Sequence, residues 1–186
     1  MKKKYVKDYI PESNGNTTYR YVGDFYVSEI DDKQRKKSGL LQMIYAALSM
    51  ALTFAALCIN CIGNHTIYVV IPLECTLVCY AYYISGAYAF LKCDNRMEQR
   101  MYDAAFIRTV QSATIAMIIN IFSFIGELIV VITNRKSIEG AGEYFLLIWI
   151  LFMAVVNGIA WSYQRRLIAG VHKEERKKEE KEDNVS

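Results

Sequence analysis

The sequence predicts an all-α fold: a polytopic membrane protein of four transmembrane helices in an antiparallel bundle, with a short polar N-terminal arm. Charge distribution is the first observation behind this. The 186 residues are 53% hydrophobic and 22% charged, but the charges crowd into residues 1–37, 92–108, 133–143 and 164–186. Second, the four long stretches between them are apolar on nearly every face, whereas a soluble helix carries one apolar stripe. Third, each stretch reaches the ~20 residues needed to cross a ~30 Å hydrocarbon core.

Residues 1–37 form the polar arm. Tyr5 to Ile10 is a short apolar-rich run, Asn14-Gly15 is a turn pair, and Thr17 to Val27 is rich in β-branched and aromatic residues. Together they read as a short β-hairpin. Ser28, with Asp31 three positions on, has the pattern of a helix N-cap leading into a basic helix.

The transmembrane domain occupies residues 38–165. Its spans are read at about 40–60, 67–91, 109–132 and 144–163. Helices are the fitting element, because backbone polar groups in lipid must be satisfied within the segment. Residues 61–66, 92–108 and 133–143 are short links, so neighbouring spans run in opposite directions. The 92–108 link has helical character and is read as a continuation of the second or third helix. Residues 166–186 are a charged tail. Its last part, from His172, is read as a frayed helix followed by disorder.

Basic residues orient the bundle. Lys33, Arg35, Lys36 and Lys37 precede the first span, Lys92, Arg96, Arg100 and Arg108 lie in the second link, and Arg165, Arg166 and Lys173 follow the fourth span. The other side offers only Arg135 and Lys136. The expected location is the plasma membrane, multi-pass, with N- and C-termini cytoplasmic. Lys2, Lys3 and Lys4 are followed by no apolar segment, so the first span reads as an uncleaved signal anchor.

A net charge of +3, with acids and bases interleaved in the tails, does not point to nucleic acid. The expected partners are the lipid bilayer and another membrane or cytoplasmic protein, or a second copy. Packing in lipid uses small residues. Such seams are read at Ala47, Ala51 and Ala55, at Ala81, Ser85 and Ala89, at Ser112, Ala116 and Asn120, and at Ala154, Gly158 and Ser162.

Glu74 and Glu127 are the sharpest candidates, each inside an apolar span. At ~1.5 Å rise per residue both sit ~8–11 Å below the outer surface. Two carboxylates at one depth could share a proton, and intramembrane acids often mark proton or cation paths. The alternative is polar glue between helices, with Asn60, Asn120 and Asn157 as partners. Pro72 frees a helix carbonyl two residues before Glu74.

Five cysteines, an odd number in apolar helices, do not read as a disulfide framework. Cys58 and Cys61 have the C-x-x-C spacing of a thiol–disulfide couple. Membrane thiol oxidoreductases of the disulfide-forming and vitamin K reductase kind carry a second functional pair. Here Cys75 and Cys79, one turn apart, depart from that arrangement, and packing is the simpler reading. A zinc site is not expected, since His65 stands alone beside the pair.

Phosphate loops, dinucleotide glycine patterns, H-E-x-x-H and G-x-S-x-G are absent. The expected role is therefore a non-enzymatic structural or accessory subunit without a cofactor. The alternatives are a proton- or cation-linked transporter using Glu74 and Glu127, and a thiol oxidoreductase using Cys58 and Cys61.

Three stretches carry a resemblance. Tyr21-Val22-Gly23-Asp24-Phe25-Tyr26 precedes the first span. Tyr68-Val69-Val70-Ile71-Pro72 opens the second, and Gly86-Ala87-Tyr88-Ala89-Phe90-Leu91 ends it. With Gly126-Glu127, these resemble a group of small, functionally uncharacterised four-helix membrane proteins of Gram-positive anaerobic bacteria, over roughly residues 20–132. The resemblance implies a bacterial plasma membrane and supplies no activity or ligand.

Overall fold

A computed structural model describes residues 3–11, 19–136, 138 and 140–174. The Asn14-Gly15 turn lies outside the described residues, as does the tail beyond Glu174. Four long helices dominate: α1 (Asp32–Leu57), α2 (Ile67–Lys92), α3 (Gln99–Thr133) and α4 (Gly142–Ala169), all long and apolar enough to cross a membrane. α1 begins well before the apolar run. Asp31, rather than Ser28, is its N-cap, and the Asp31 carboxylate accepts the Lys33 N–H. The Ser28 hydroxyl instead accepts the Ile30 N–H.

The fold is not purely helical. β1 (Tyr9–Pro11) and β2 (Tyr19–Tyr21) pair antiparallel, with Tyr9 opposite Tyr21. A second, three-stranded sheet has β3 (Phe25–Ser28) at its centre, flanked by β4 (Arg96–Glu98) and β5 (Val171–Glu174). From Gln99 the 92–108 link continues the third helix, as its helical character implied, but Arg96–Glu98 is strand. One expectation is corrected. The chain after α4 turns at Gly170 into a strand, so His172 does not prolong the helix. Both strands form because β3 supplies their hydrogen bonds across long sequence separations: Tyr26 lies opposite Met97 on one side and Lys173 on the other.

The three-stranded sheet gathers helix ends. β3 leads into α1, β4 joins α2 to α3, and β5 leaves α4. Beneath it, Ile30, Phe90, Cys93, Met97, Phe106 and Leu167 form one apolar cluster. Tyr26 stacks on Tyr102 with ring centroids 4.2 Å apart.

Between the helices, α1 packs on α2, α2 on α3, and α3 on α4. Each buried face alternates steps of three and four residues. On α1 the inward residues are Gln42, Ala46, Ser49, Thr53 and Ala56, and on α4 they are Glu143, Leu146, Ile150, Met153, Asn157, Ala160, Gln164 and Leu167. This 3.5-residue period is the pattern of knobs-into-holes packing. The small-residue seams are corrected accordingly. Ser112, Ala116 and Asn120 are buried, but Ala47, Ala51, Ala55, Ala81 and Ser85 face outward. The more polar face of α1, with Gln42, Ser49 and Thr53, takes the interior, and its alanines at four-residue spacing face out.

At the end away from the sheet, α3 approaches α2 closely. A Cβ at Gly126 would stand 3.1 Å from the Tyr68 carbonyl oxygen. Pro72 lies in α2 and has no N–H for that carbonyl, four residues back.

Candidate functional site

Buried polar side chains are spaced along the length of the bundle, among a mostly apolar interior. α3 contributes Thr109, Ser112, Asn120, Ser123 and Glu127 to one buried face. From Thr109 to Glu127 that row runs about 27 Å at ~1.5 Å per residue, close to the thickness of a hydrocarbon core. Near the sheet end, the Gln164 amide donates to the Tyr83 hydroxyl at 2.6 Å. In the middle, Asn157 on α4 accepts from the Tyr45 hydroxyl of α1 and donates to the Tyr80 hydroxyl of α2 at 2.9 Å. Asn120 lies beside that Tyr80 hydroxyl. One asparagine thus joins three helices where lipid would offer it no partner.

Glu127 closes the row at the far end. It is 0% exposed, and its neighbouring carboxyl group belongs to Glu143. Glu143 lies in the first turn of α4, where the helix dipole favours an acid. Its carboxylate accepts the Ile62 N–H, and the Gly63 N–H at 3.2 Å. The Glu127 carboxyl lies against Gly63 from the other side, with Cδ 2.7 Å from where a Cβ would be. Two acids from different helices therefore clasp the 62–63 turn. Both Glu127 oxygens are buried without a hydrogen-bond partner among the described residues, a costly arrangement in a poorly solvated place.

The four expected members of the intramembrane polar site separate. Glu127 and Asn120 are buried on the same face of α3. Glu74 lies on the exposed side of α2, between buried Leu73 and Thr76, and does not share the Glu127 site. Asn60 is exposed in the turn after α1, which ends at Leu57; its side-chain oxygen is 3.4 Å from the His65 ring. With Cys61, His65 and Glu143 it lines a cavity of about 280 Å³. Glu143 is the residue missed from sequence, where it read as loop. The available signal was an acid immediately before an apolar run, the mark of a helix first turn.

Cys58 and Cys61 are free thiols. Cys58 is the exposed C-cap of α1, and Cys61 is buried beside Val69, Leu73 and Val130. Burial pushes the Cys61 thiol above its ordinary range. Backbone hydrogen bonds in the turn oppose this, and the Glu143 and Glu127 carboxyls add to it. That environment disfavours the thiolate a redox couple needs. Among the described residues no group of His, Cys, Asp and Glu is placed to hold a metal ion. Comparison with protein-family models, with curated proteins and with solved structures finds no match for this chain.

Proposed function

We propose that the chain is a multi-pass integral membrane protein serving as a non-enzymatic accessory subunit. Its four helices form an antiparallel bundle across the plasma membrane, with both ends cytoplasmic. The observation that carries this reading is that large apolar side chains cover the outer faces while polar side chains are buried among the helices. Asn157 and Glu127 are 0% exposed, whereas Phe122 is 63% exposed and Ile148 66%. Water would reward the opposite arrangement. Hydrocarbon rewards this one, because apolar faces cost nothing there and polar groups must find partners inside.

The orientation draws on the sheet. It gathers the helix ends that carry Lys36, Lys37, Lys92, Arg100, Arg165 and Arg166, while Arg135 and Lys136 stand at the other end. Basic residues concentrate on the cytoplasmic side. The sheet, the β1–β2 pair and the start of α3 then form a platform facing the cytoplasm. β4 and β5 are its edge strands, and an edge strand is a surface on which partners add strands. The test is affinity capture from gently solubilised membranes, using the full chain and a Tyr26→Ala, Val27→Asp variant of the central strand. A stoichiometric partner held by the wild type alone supports the reading. A clean monomer that captures no partner counts against it.

A second reading is favoured by one observation, the polar row ending at Glu127 and Glu143. It makes the bundle a proton path with Glu143 in the place given to Glu74. Proton flux into liposomes decides it. Equal flux for wild type, Glu127→Gln and Glu143→Gln would end it. No observation favours thiol chemistry at Cys58 and Cys61.

A further inference from the structure

Glu74 stands on the outer face of α2, and its neighbours along that face are apolar. Ile67, Ile71 and Val78 are all exposed there, at the three- and four-residue steps that bring side chains together on a helix surface. α2 starts at Ile67, so Glu74 lies about 10 Å from that end at ~1.5 Å per residue. Two turns of apolar surface separate it from the polar 61–66 link. Long lysine and arginine stems cross such a distance to reach water; the shorter glutamate side chain does not. Among the described residues its carboxyl group makes no hydrogen bond or ion pair.

An ionisable group inside a span turns to the bundle interior, to water or to an opposite charge, because hydrocarbon leaves it unsolvated. Glu127 takes the interior. Glu74 does not, since Leu73 and Thr76 fill the buried face at its level. The remaining course is an opposite charge from outside the chain. A second copy does not supply it. Residues 38–91, 109–134 and 144–163 hold no Lys or Arg, and Arg135 and Lys136 lie past the end of α3 at Thr133. Two copies meeting symmetrically through this face would also set Glu74 against Glu74. The surface beside Glu74 is narrow: Cys75, Ala81 and Ser85 are exposed and small. Small side chains let a neighbouring helix backbone come close in lipid.

We propose that the outer face of α2 around Glu74 docks a transmembrane helix of a different membrane protein, one that carries a Lys or Arg at the depth of Glu74. The partner's ammonium or guanidinium meets the Glu74 carboxylate, and its helix lies along Val78 and Ala81. The proposal rests on the accessory-subunit reading and names the partner's chemistry. It places that contact within the bilayer, apart from the edge strands of the platform.

The test uses a synthetic spanning helix of leucine and alanine with one lysine seven residues from its outer end. Energy transfer in vesicles reads its binding to the full chain, with one dye on the helix and one on the chain's C-terminus. The wild type binds the lysine helix about tenfold more tightly than the same helix with leucine there. Glu74→Gln loses that preference. Glu74→Lys reverses it, binding a helix with glutamate at that position and rejecting the lysine helix. Because the side chain points outward, both variants keep the packing of the bundle. Equal binding of the lysine and leucine helices by the wild type would overturn the proposal. So would a preference kept by Glu74→Gln, which would make the contact a neutral hydrogen bond. Energy transfer between copies of the chain that Glu74→Gln abolishes would assign the face to a second copy and overturn it too. A partner captured through the platform, with no preference for the lysine helix, removes this proposal and leaves the accessory reading. A chain that fails to insert removes the membrane reading itself.

Discussion

The Glu127 carboxyl group lies against the backbone of Gly63, so that a Cβ there would stand 2.7 Å from Glu127 Cδ. Gly63→Ala is therefore expected to destabilise the bundle by about 1–3 kcal/mol, the usual cost of overpacking. Gly140→Ala is the control, because nothing lies within 4 Å of that position. In a Glu127→Ala background the cost of Gly63→Ala should fall sharply, since the clashing carboxyl is gone. Denaturation in mixed micelles of the four chains measures this coupling.

Asn157 joins α1, α2 and α4 through the Tyr45 and Tyr80 hydroxyls. Asn157→Leu leaves both phenols without that partner in a dry interior. The expected loss is about 1–2 kcal/mol, the upper end of what interhelical hydrogen bonds in lipid return. Ile148→Ala, on the exposed face, should cost clearly less. The same denaturation assay compares them.

Tyr9 gives a pH dependence. Burial, then the hydrogen bond to Glu98 and the charge of Glu98, push its hydroxyl from 10.0 up to about 12, with Arg100 opposing. The folded state favours the neutral phenol. Its contribution is fully present below pH 10, the unfolded value, and is lost as pH rises toward about 12. Thermal melts of wild type and Tyr9→Phe across that window should converge as pH rises. A constant difference between the two would contradict the assignment.

The four helices were legible because a membrane span follows a coarse rule: ~20 residues almost free of charge. Their rotation was not. A helix apolar on every face has no stripe to aim it, so Glu74 and Glu127 read alike although one faces out and the other in. Alanines at four-residue spacing on α1 misled for the same reason. The better guide was the heptad of Gln42, Ala46, Ser49, Thr53 and Ala56. β4 and β5 escaped notice because three- and four-residue strands carry almost no local signal. They exist through pairing with β3, about 70 and 145 residues away, a long-range pairing no local propensity reports. Glu143 was hidden by a boundary, since the apolar run begins one residue after it.

The central claim is that the outward apolar faces meet acyl chains, and Phe122 tests it most directly. It sits near the middle of α3 and is 63% exposed. A single tryptophan is placed there as Phe122→Trp, with Trp149→Phe and Trp161→Phe, and the chain is reconstituted into vesicles of lipids brominated along the acyl chains. The account predicts strong quenching by bromine near the bilayer centre and little by aqueous iodide. Quenching by iodide with none from the brominated chains would contradict it.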